Sequence, residues 1–402
     1  MTLHLAGPDA WYVRGVGARP EPSTAEPALS TVAWEWGRIG CIGFGGPPAH
    51  IALLRKLCVE RRRWIAAPQF EDAISACNLL PGPASTQLAI FCAWRLRGRI
   101  GALVGGACFI VPGLVLILGL AALFLSGSPP LWVKGAGAGA GAAVAAVAVQ
   151  AGWGLVPDSR RRALSGLRWA AYLLAGGLSA ATIGPWLVLV LIGCGVAELA
   201  IRRIRVGGSV SALVPAPVIA TLGGGGLLSL AWVAFKVGAL SYGGGFVIIP
   251  LMQADAVNRY HWMTSGQFLN AVALGQVTPG PVVQTVAVVG YAAAGVGGGL
   301  LAALVAFSPS FAFVLLGADR FDRLRGNVDA AAFLGGAGPA AVGAILGVAV
   351  PLTRALSESW QYAVLAGAAA LLFPLRRGVV TTLLLAGAAG VAIAYAGGQV
   401  PA

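Results

Sequence analysis

Charged residues are scarce in this chain: they occupy 10% of its 402 positions, whereas soluble domains carry about 25%. So little polar surface could not cover a particle in water, which excludes soluble and disordered classes. Apolar residues reach 58%, and the mean hydropathy is +0.82. Because a backbone in lipid must satisfy its own hydrogen bonds, these long apolar runs predict an all-α polytopic membrane protein.

Motifs for catalysis and for metal binding are also lacking. The histidines (His4, His50 and His261) are scattered, and the cysteines form no CxxC pair. There is no HExxH or GxSxG pattern, and Ser85 and Thr86 have no histidine near them in the sequence. The sequence therefore predicts no metal site, no cofactor and no catalytic residue. A membrane-embedded enzyme, or the apolar subunit of a complex, is the less favoured alternative.

The sequence repeats itself at a shift of 198 positions. Trp34 aligns with Trp232, and Pro81-Gly82-Pro83 aligns with Pro279-Gly280-Pro281. Internal similarity of this length indicates a duplicated structural unit. The predicted segments are a polar N-terminal tail over 1–27, a first transmembrane repeat over 28–205, a Gly/Pro-rich linker over 206–226 and a second repeat over 227–402.

Each repeat is expected to contain about five spans and one interrupted apolar stretch. The spans are predicted near 29–54, 100–126, 135–156, 169–183, 185–201, 227–254, 297–317, 331–352, 359–375 and 378–397. The interrupted stretches, 70–94 and 268–293, carry Pro-Gly-Pro at their middle, and this triplet cannot continue a helix. Each stretch is therefore either a kinked span or a re-entrant hairpin.

The net charge of +13 is informative about topology. Basic clusters flank the first interrupted stretch on both sides, at 61–63 and 95–99. The positive-inside rule places both flanks in the cytoplasm, which favours a re-entrant hairpin. Because topology explains the basic excess, no nucleic-acid partner is predicted. With an odd number of spans in each repeat, the second repeat is predicted to be inverted. Inverted repeats with broken helices are typical of secondary transporters.

Two basic residues fall inside predicted spans. Arg38 and Lys236 occupy the same position in the two repeats, near the middle of the hydrocarbon layer. A cation there costs at least about 2.5–3.5 kcal/mol, so it marks a functional site by default. Glu35 could pair with Arg38 one turn away. Lys236 has no carboxylate within four residues, and no ion pair is predicted for it.

The predicted helix is interrupted beside each cation, at 44–48 and at 242–245. A new half-helix should begin after each Pro-Gly-Pro. The first amides of these half-helices, at 84–86 and 282–284, lack intrahelical acceptors and carry the positive end of the helix dipole. Together with the cations, they predict a site for a small dianion. The candidate substrate-binding residues are Arg38, Phe44, Gly45, Gly46, Pro47, Asn78, Pro81, Gly82, Pro83, Ser85, Thr86, Gln87, Lys236, Tyr242, Gly243, Gly244, Gln276, Pro279, Gly280, Pro281, Gln284 and Thr285.

Several of these motifs resemble the chromate ion transporter family. They are FGGP at 44–47, ERRRW at 60–64 and NLLPGP at 78–83, then SYGGG at 241–245 and LGQVTPGP at 274–281. The resemblance covers both repeats, as in the long-chain, two-domain type. Tyr242 and Gln276 depart from the Phe and Glu that are common in the family.

The resemblance implies a multi-pass carrier of the cell inner membrane that exports chromate from the cytoplasm, with sulfate as the related oxyanion. The expected partners are that oxyanion and the lipid bilayer, and a homodimer is left open. The residues alone also allow a transporter or channel for sulfate, a halide or an organic acid. In the expected mechanism the dianion binds between the Pro-Gly-Pro half-helices, Arg38 and Lys236 neutralise its charge, and the repeats rock to expose the site alternately.

Overall fold

The structure is a computed structural model that describes residues 26–78, 80, 82–163, 165–182, 187–205, 226–241, 247–317 and 327–401. The described residues form helices and contain no strand. The helices of the first half are α1 (Leu29–Ile42), α2 (Pro47–Arg55), α3 (Ala67–Cys77), α4 (Ala84–Phe124), α5 (Leu131–Arg161), α6 (Gly166–Thr182) and α7 (Leu187–Arg205). Those of the second half are α8 (Leu227–Leu240), α9 (Ile248–Gln253), α10 (Ser265–Val277), α11 (Thr285–Gly317), α12 (Val328–Gly347), α13 (Ala349–Arg354), α14 (Ser359–Leu372) and α15 (Val379–Tyr395).

Four helical segments are long and apolar enough to cross a membrane. They are Ala84–Phe124, Leu131–Arg161, Val282–Gly317 and Val328–Arg354. The prediction of an all-α polytopic membrane protein is confirmed. The N-terminal tail up to residue 25 and nearly all of the predicted linker lie outside the described residues.

The predicted span 29–54 is wrong as a single helix. Helix α1 ends at Ile42, and α2 begins at Pro47 and runs into a π-helical turn at Lys56–Arg61. Arg62, just beyond that turn, donates to Glu35 of α1 at 2.9 Å. A continuous helix would separate these two residues by about 40 Å. The segment therefore folds back on itself, because Gly45 and Gly46 adopt positive φ angles (97° and 72°) that break the helix.

The predicted span 227–254 folds back in the same way. Helix α8 ends at Leu240, and α9 is followed by a second π-helical turn at Ala254–Arg259. Lys236 and Asp255 form an ion pair at 2.5 Å, whereas a continuous helix would place them about 28 Å apart.

Helix α4 also reverses direction within its length. Arg97 (φ −141°) and Gly98 (φ 58°) leave the helical conformation, and a Cβ added to Gly106 would lie 2.9 Å from Ile90 Cγ1. A straight helix would put residues 90 and 106 about 24 Å apart. Arg97 donates to the carbonyl of Pro27 at 3.4 Å, beside the start of α1. Both flanks of the stretch 70–94 thus lie next to α1, and the re-entrant hairpin in the membrane stays a prediction.

The same local conformations recur 198 positions later. Gly82 and Gly280, at the centres of the two Pro-Gly-Pro triplets, have φ angles of 119° and 102°. Arg63 and His261 have φ angles of 53° and 52° although neither is glycine. The duplicated sequence therefore encodes the same unusual backbone twice. The inverted orientation of the repeats in the membrane stays a prediction.

Helices of the two halves approach closely at small residues. A Cβ added to Gly139 of α5 would lie 2.2 Å from the carbonyl oxygen of Ala386 in α15, and one added to Gly176 of α6 would lie 1.9 Å from that of Ala340 in α12. In lipid, helices associate by van der Waals packing rather than by burial from water, and small residues permit that packing. The 59 glycines of the chain therefore include residues that join its two halves.

Candidate anion-binding site

The helix breaks of the two halves touch each other. The amide of Gly280, in the second Pro-Gly-Pro, donates to the carbonyl of Gly43 at the end of α1, over a distance of 3.0 Å. A Cβ added to Gly46 would lie 3.7 Å from Val282 Cγ2. The break after α1 and the Pro-Gly-Pro after α10 therefore form one contact region.

The long helices bring each Pro-Gly-Pro against the opposite half. A Cβ added to Gly82 would lie 3.4 Å from the carbonyl oxygen of Gly238 in α8 and 3.5 Å from the hydroxyl of Ser310 in α11. Reciprocally, a Cβ added to Gly113 of α4 would lie 2.1 Å from the carbonyl oxygen of Pro279. Gly82 of the first triplet and Pro279 of the second therefore each lie against backbone of the opposite half.

Two half-helices begin at these breaks without a side-chain cap. The amide of Thr86 donates to the carbonyl of Pro83 at 2.9 Å, and that of Gln284 donates to Pro281 at 2.9 Å. These bonds correct the expectation of three open amides on each helix, because a tight first turn consumes the third. Two amides on each helix, at 84–85 and 282–283, precede the first bond and carry the positive end of the dipole.

Buried polar side chains surround the two breaks. Several have an oxygen or nitrogen atom without a hydrogen-bond partner among the described residues, which is costly unless water or a ligand fills the role. They are Thr86 Oγ1, Ser241 Oγ, Gln276 Nε2, Gln284 Oε1 and Ser310 Oγ. Ser241 and Ser310 are not among the binding residues predicted from the sequence. The signal for Ser310 is its place after Pro309 in an otherwise apolar helix.

His50 lies at the same place, although it is not among the residues predicted from the sequence. Its ring is fully buried, with Nε2 2.9 Å from the carbonyl oxygen of Gly43 and Nδ1 3.2 Å from the hydroxyl of Ser85. Since a carbonyl only accepts, Nε2 carries the proton and Nδ1 accepts from Ser85. The expectation that Ser85 has no histidine partner is wrong, because the fold-back of α2 brings together residues 35 positions apart.

The two cations predicted in mid-membrane have ion-pair partners. Lys236 pairs with Asp255 at 2.5 Å, and both side chains are largely buried. The absence of a nearby carboxylate in the sequence was therefore misleading, since the partner lies in the π-helical turn that follows α9. Arg38 pairs with Glu35 at 3.7 Å, and its side chain is 46% exposed. Lys236 lies in the protein interior, whereas Arg38 lies at its surface.

Comparison with known proteins identifies the family. The sequence model of the chromate transporter family matches residues 30–199 and 228–391. The chain belongs to the chromate transporter family. It is 30% identical to the chromate transport protein of Cupriavidus metallidurans over 79% of this chain and 80% of that one. The chromate transport protein of Pseudomonas aeruginosa is 30% identical over 80% of each chain. No solved structure matches the chain.

Two other predicted donors of this chromate transporter family member form hydrogen bonds within the second helix break. Gln284 Nε2 donates to the carbonyl of Pro279 at 2.7 Å and to Thr278 Oγ1 at 3.3 Å. The hydroxyl of Thr285 donates to the carbonyl of Val282 at 2.7 Å. Their hydrogens are therefore used to hold the Pro-Gly-Pro loop in shape.

The remaining candidates are spread more widely. Phe44 is 43% exposed, and Pro47 forms the first turn of α2. Asn78 and Gly82 line a cavity of about 120 Å³ that also reaches Asp158 and Arg162. The candidates outside the described residues are Pro81, Tyr242, Gly243 and Gly244.

Replacement of His50 tests its role in this chromate transporter family protein. His50→Leu leaves the Ser85 hydroxyl without its acceptor and the carbonyl of Gly43 without one of its donors. Each lost partner costs about 1–3 kcal/mol, and chromate transport should fall about tenfold. His50→Gln keeps an amide N–H near Nε2 and should retain about half of the rate. Initial rates, normalised to protein in the membrane, are the measurement. Equal rates in the two variants would show that the bond to Gly43 is unimportant.

Proposed function

We propose that this chain exports small tetrahedral dianions across the cell inner membrane, with chromate as the main substrate and sulfate as its analogue. The proposal rests on one observation above all. Breaks from both halves meet in the protein interior, where polar side chains such as Thr86 and Gln276 have buried atoms without partners. Fixed donors in a buried site are suited to an oxyanion, because they replace its hydration shell.

The donors proposed for the dianion come from both halves. They are the first amides of the half-helices at 84–85 and 282–283, the hydroxyl of Thr86 and the amide of Gln276. Lys236 supplies the positive charge. Asp255 neutralises that charge in the observed ion pair, and an arriving dianion would compete with Asp255 for the ammonium group. Arg38 is assigned to the outer part of the anion path rather than to its centre, because its side chain is exposed.

Two cavities support alternating access. The cavity of about 120 Å³ borders the first Pro-Gly-Pro and the end of α5. A larger cavity of about 710 Å³ is lined by Thr264, Asn270 and Gln361 of the second half and by Gly141 of α5. We place the two cavities on opposite sides of the site, so that rocking of the halves opens one while it closes the other. An inside-negative potential favours export, by about 4.6 kcal/mol for two charges at 100 mV.

Flux measurements test the proposal. Inverted membrane vesicles that contain the protein should take up labelled chromate with saturable kinetics, and an imposed interior-positive potential should accelerate the uptake. Sulfate should compete and chloride should not. No flux above that of vesicles without the protein would overturn the proposal and favour an enzyme or a complex subunit. Strong competition by chloride would reassign the substrate class.

A further inference from the structure

One carboxylate of α1, that of Glu35, is shared by three arginines. Glu35 is 2% exposed, and its Oε1 accepts from Arg62 at 2.9 Å and lies 3.6 Å from Arg61. Its Oε2 lies 3.7 Å from Arg38 and has no hydrogen-bond partner among the described residues. We name Arg38, Arg61 and Arg62 the arginine triad.

The arginine triad carries more charge than Glu35 can neutralise. Three guanidinium groups face one carboxylate, and their side chains are 46%, 49% and 41% exposed. Each guanidinium has five N–H donors, and the described contacts to Glu35 include a single short hydrogen bond. Arg62 also lies over the ring of Trp64, 5.6 Å from its centre, which holds its plane in place. An excess of two positive charges with open donors is therefore fixed at this surface.

Neighbouring and equivalent positions lack this excess. Arg55, 45% exposed, contacts two carboxylates, those of Glu60 and Glu71. In the second half, 198 positions from Arg38, Lys236 has its own partner, and Arg259 lies over Tyr260. Glu35 itself corresponds to Val233. The duplication therefore does not explain the cluster, which has no counterpart among the described residues of the second half.

We propose that the arginine triad is a loading site where a tetrahedral dianion binds before it enters the central site. The anion contacts the exposed guanidinium edges, whose paired donors match its oxygens, while Glu35 keeps the three side chains together. The inference rests on the proposed function for the identity of the anion. The same chemistry would also bind the phosphate of a lipid headgroup, and the lipid composition in the test separates the two sources.

Transport from the arginine side is the first test. The protein is reconstituted into phosphatidylcholine vesicles without anionic lipid, and chromate is added to the side that carries the triad. Arg61→Gln and Arg62→Gln should each raise KM about fivefold and leave the maximal rate within about twofold. Arg55→Gln is the matched control, because it removes the same charge at similar exposure from a site with excess carboxylate, and its KM should not change. Equal KM increases in all three variants would overturn the proposal, since a general surface potential would then explain them.

Equilibrium binding is the second test, and it does not require transport. Labelled sulfate is titrated into the purified full chain in a neutral detergent. The double variant Arg61→Gln/Arg62→Gln should weaken binding at least about tenfold relative to wild type and to Arg55→Gln. This result would support the loading site even if the chromate flux assay failed. Unchanged binding would overturn the loading site. The loading site would also be overturned if the KM increase were absent in phosphatidylcholine vesicles and appeared only when the transport test was repeated with anionic lipid.

Discussion

Replacing Gly280 with alanine is expected to reduce chromate transport at least about tenfold while the protein still inserts in the membrane. Gly280 has a φ of 102°, where a side chain is strained, and its amide donates to Gly43 in the other half. A Cβ would also lie 3.2 Å from Gln284 Oε1. The strain, of about 1–3 kcal/mol, would displace the loop that begins the second half-helix. The measurement is the initial rate of chromate uptake in inverted vesicles, normalised to protein abundance.

Gly397→Ala is the matched control for this substitution. Gly397 has a φ of 85°, but an added Cβ would meet nothing within 4 Å. It lies beyond α15, far along the chain from either Pro-Gly-Pro. Its replacement imposes a similar backbone strain and should leave the transport rate within about twofold of wild type. If both variants lost transport equally, strain alone would account for the loss and the position of Gly280 would have no special importance.

Removal of the Lys236–Asp255 pair should separate protein stability from transport. Asp255→Ala leaves a largely buried ammonium group without a partner, which destabilises the protein by about 3–5 kcal/mol and should lower its abundance. The double variant Lys236→Met/Asp255→Leu replaces both charges with apolar groups and should recover abundance. Transport should stay at least about tenfold below wild type, because the proposed positive charge for the dianion is gone. Abundance and initial rate are measured on the same membranes.

A second buried ion pair supplies the control. Arg168 and Glu198 lie 3.4 Å apart with side chains 19% and 6% exposed, close to the 21% and 8% of Lys236 and Asp255. The variant Arg168→Met/Glu198→Leu removes a similarly buried pair between α6 and α7, together with the hydrogen bond that Tyr172 donates to Glu198 at 3.0 Å. It should retain transport. Full transport by Lys236→Met/Asp255→Leu would contradict the proposed role of Lys236 and leave that pair a structural one.

Much of this protein could be predicted from local chemistry. Low charge and long apolar runs are sufficient to predict a membrane protein, since a surface this apolar is stable in lipid and not in water. The breaks at Pro-Gly-Pro follow from the missing amide of proline and the freedom of glycine, and both appear at the expected residues, with positive φ at Gly82 and Gly280. The family resemblance rested on the same motifs and is confirmed by the match over both halves.

The partners of the charged residues were decided by the tertiary structure alone. A sequence pattern shows which residues share a helix face, but it does not show that a helix ends and returns. Because the chain folds back at Gly45–Gly46 and again after α8, Glu35 meets Arg62 and Lys236 meets Asp255. The sequence by itself determined the membrane class, which depends on composition, and the helix breaks, which depend on neighbouring residues. The reversals determined which charge is buried and which is exposed, since electrostatic pairing depends on distance in space.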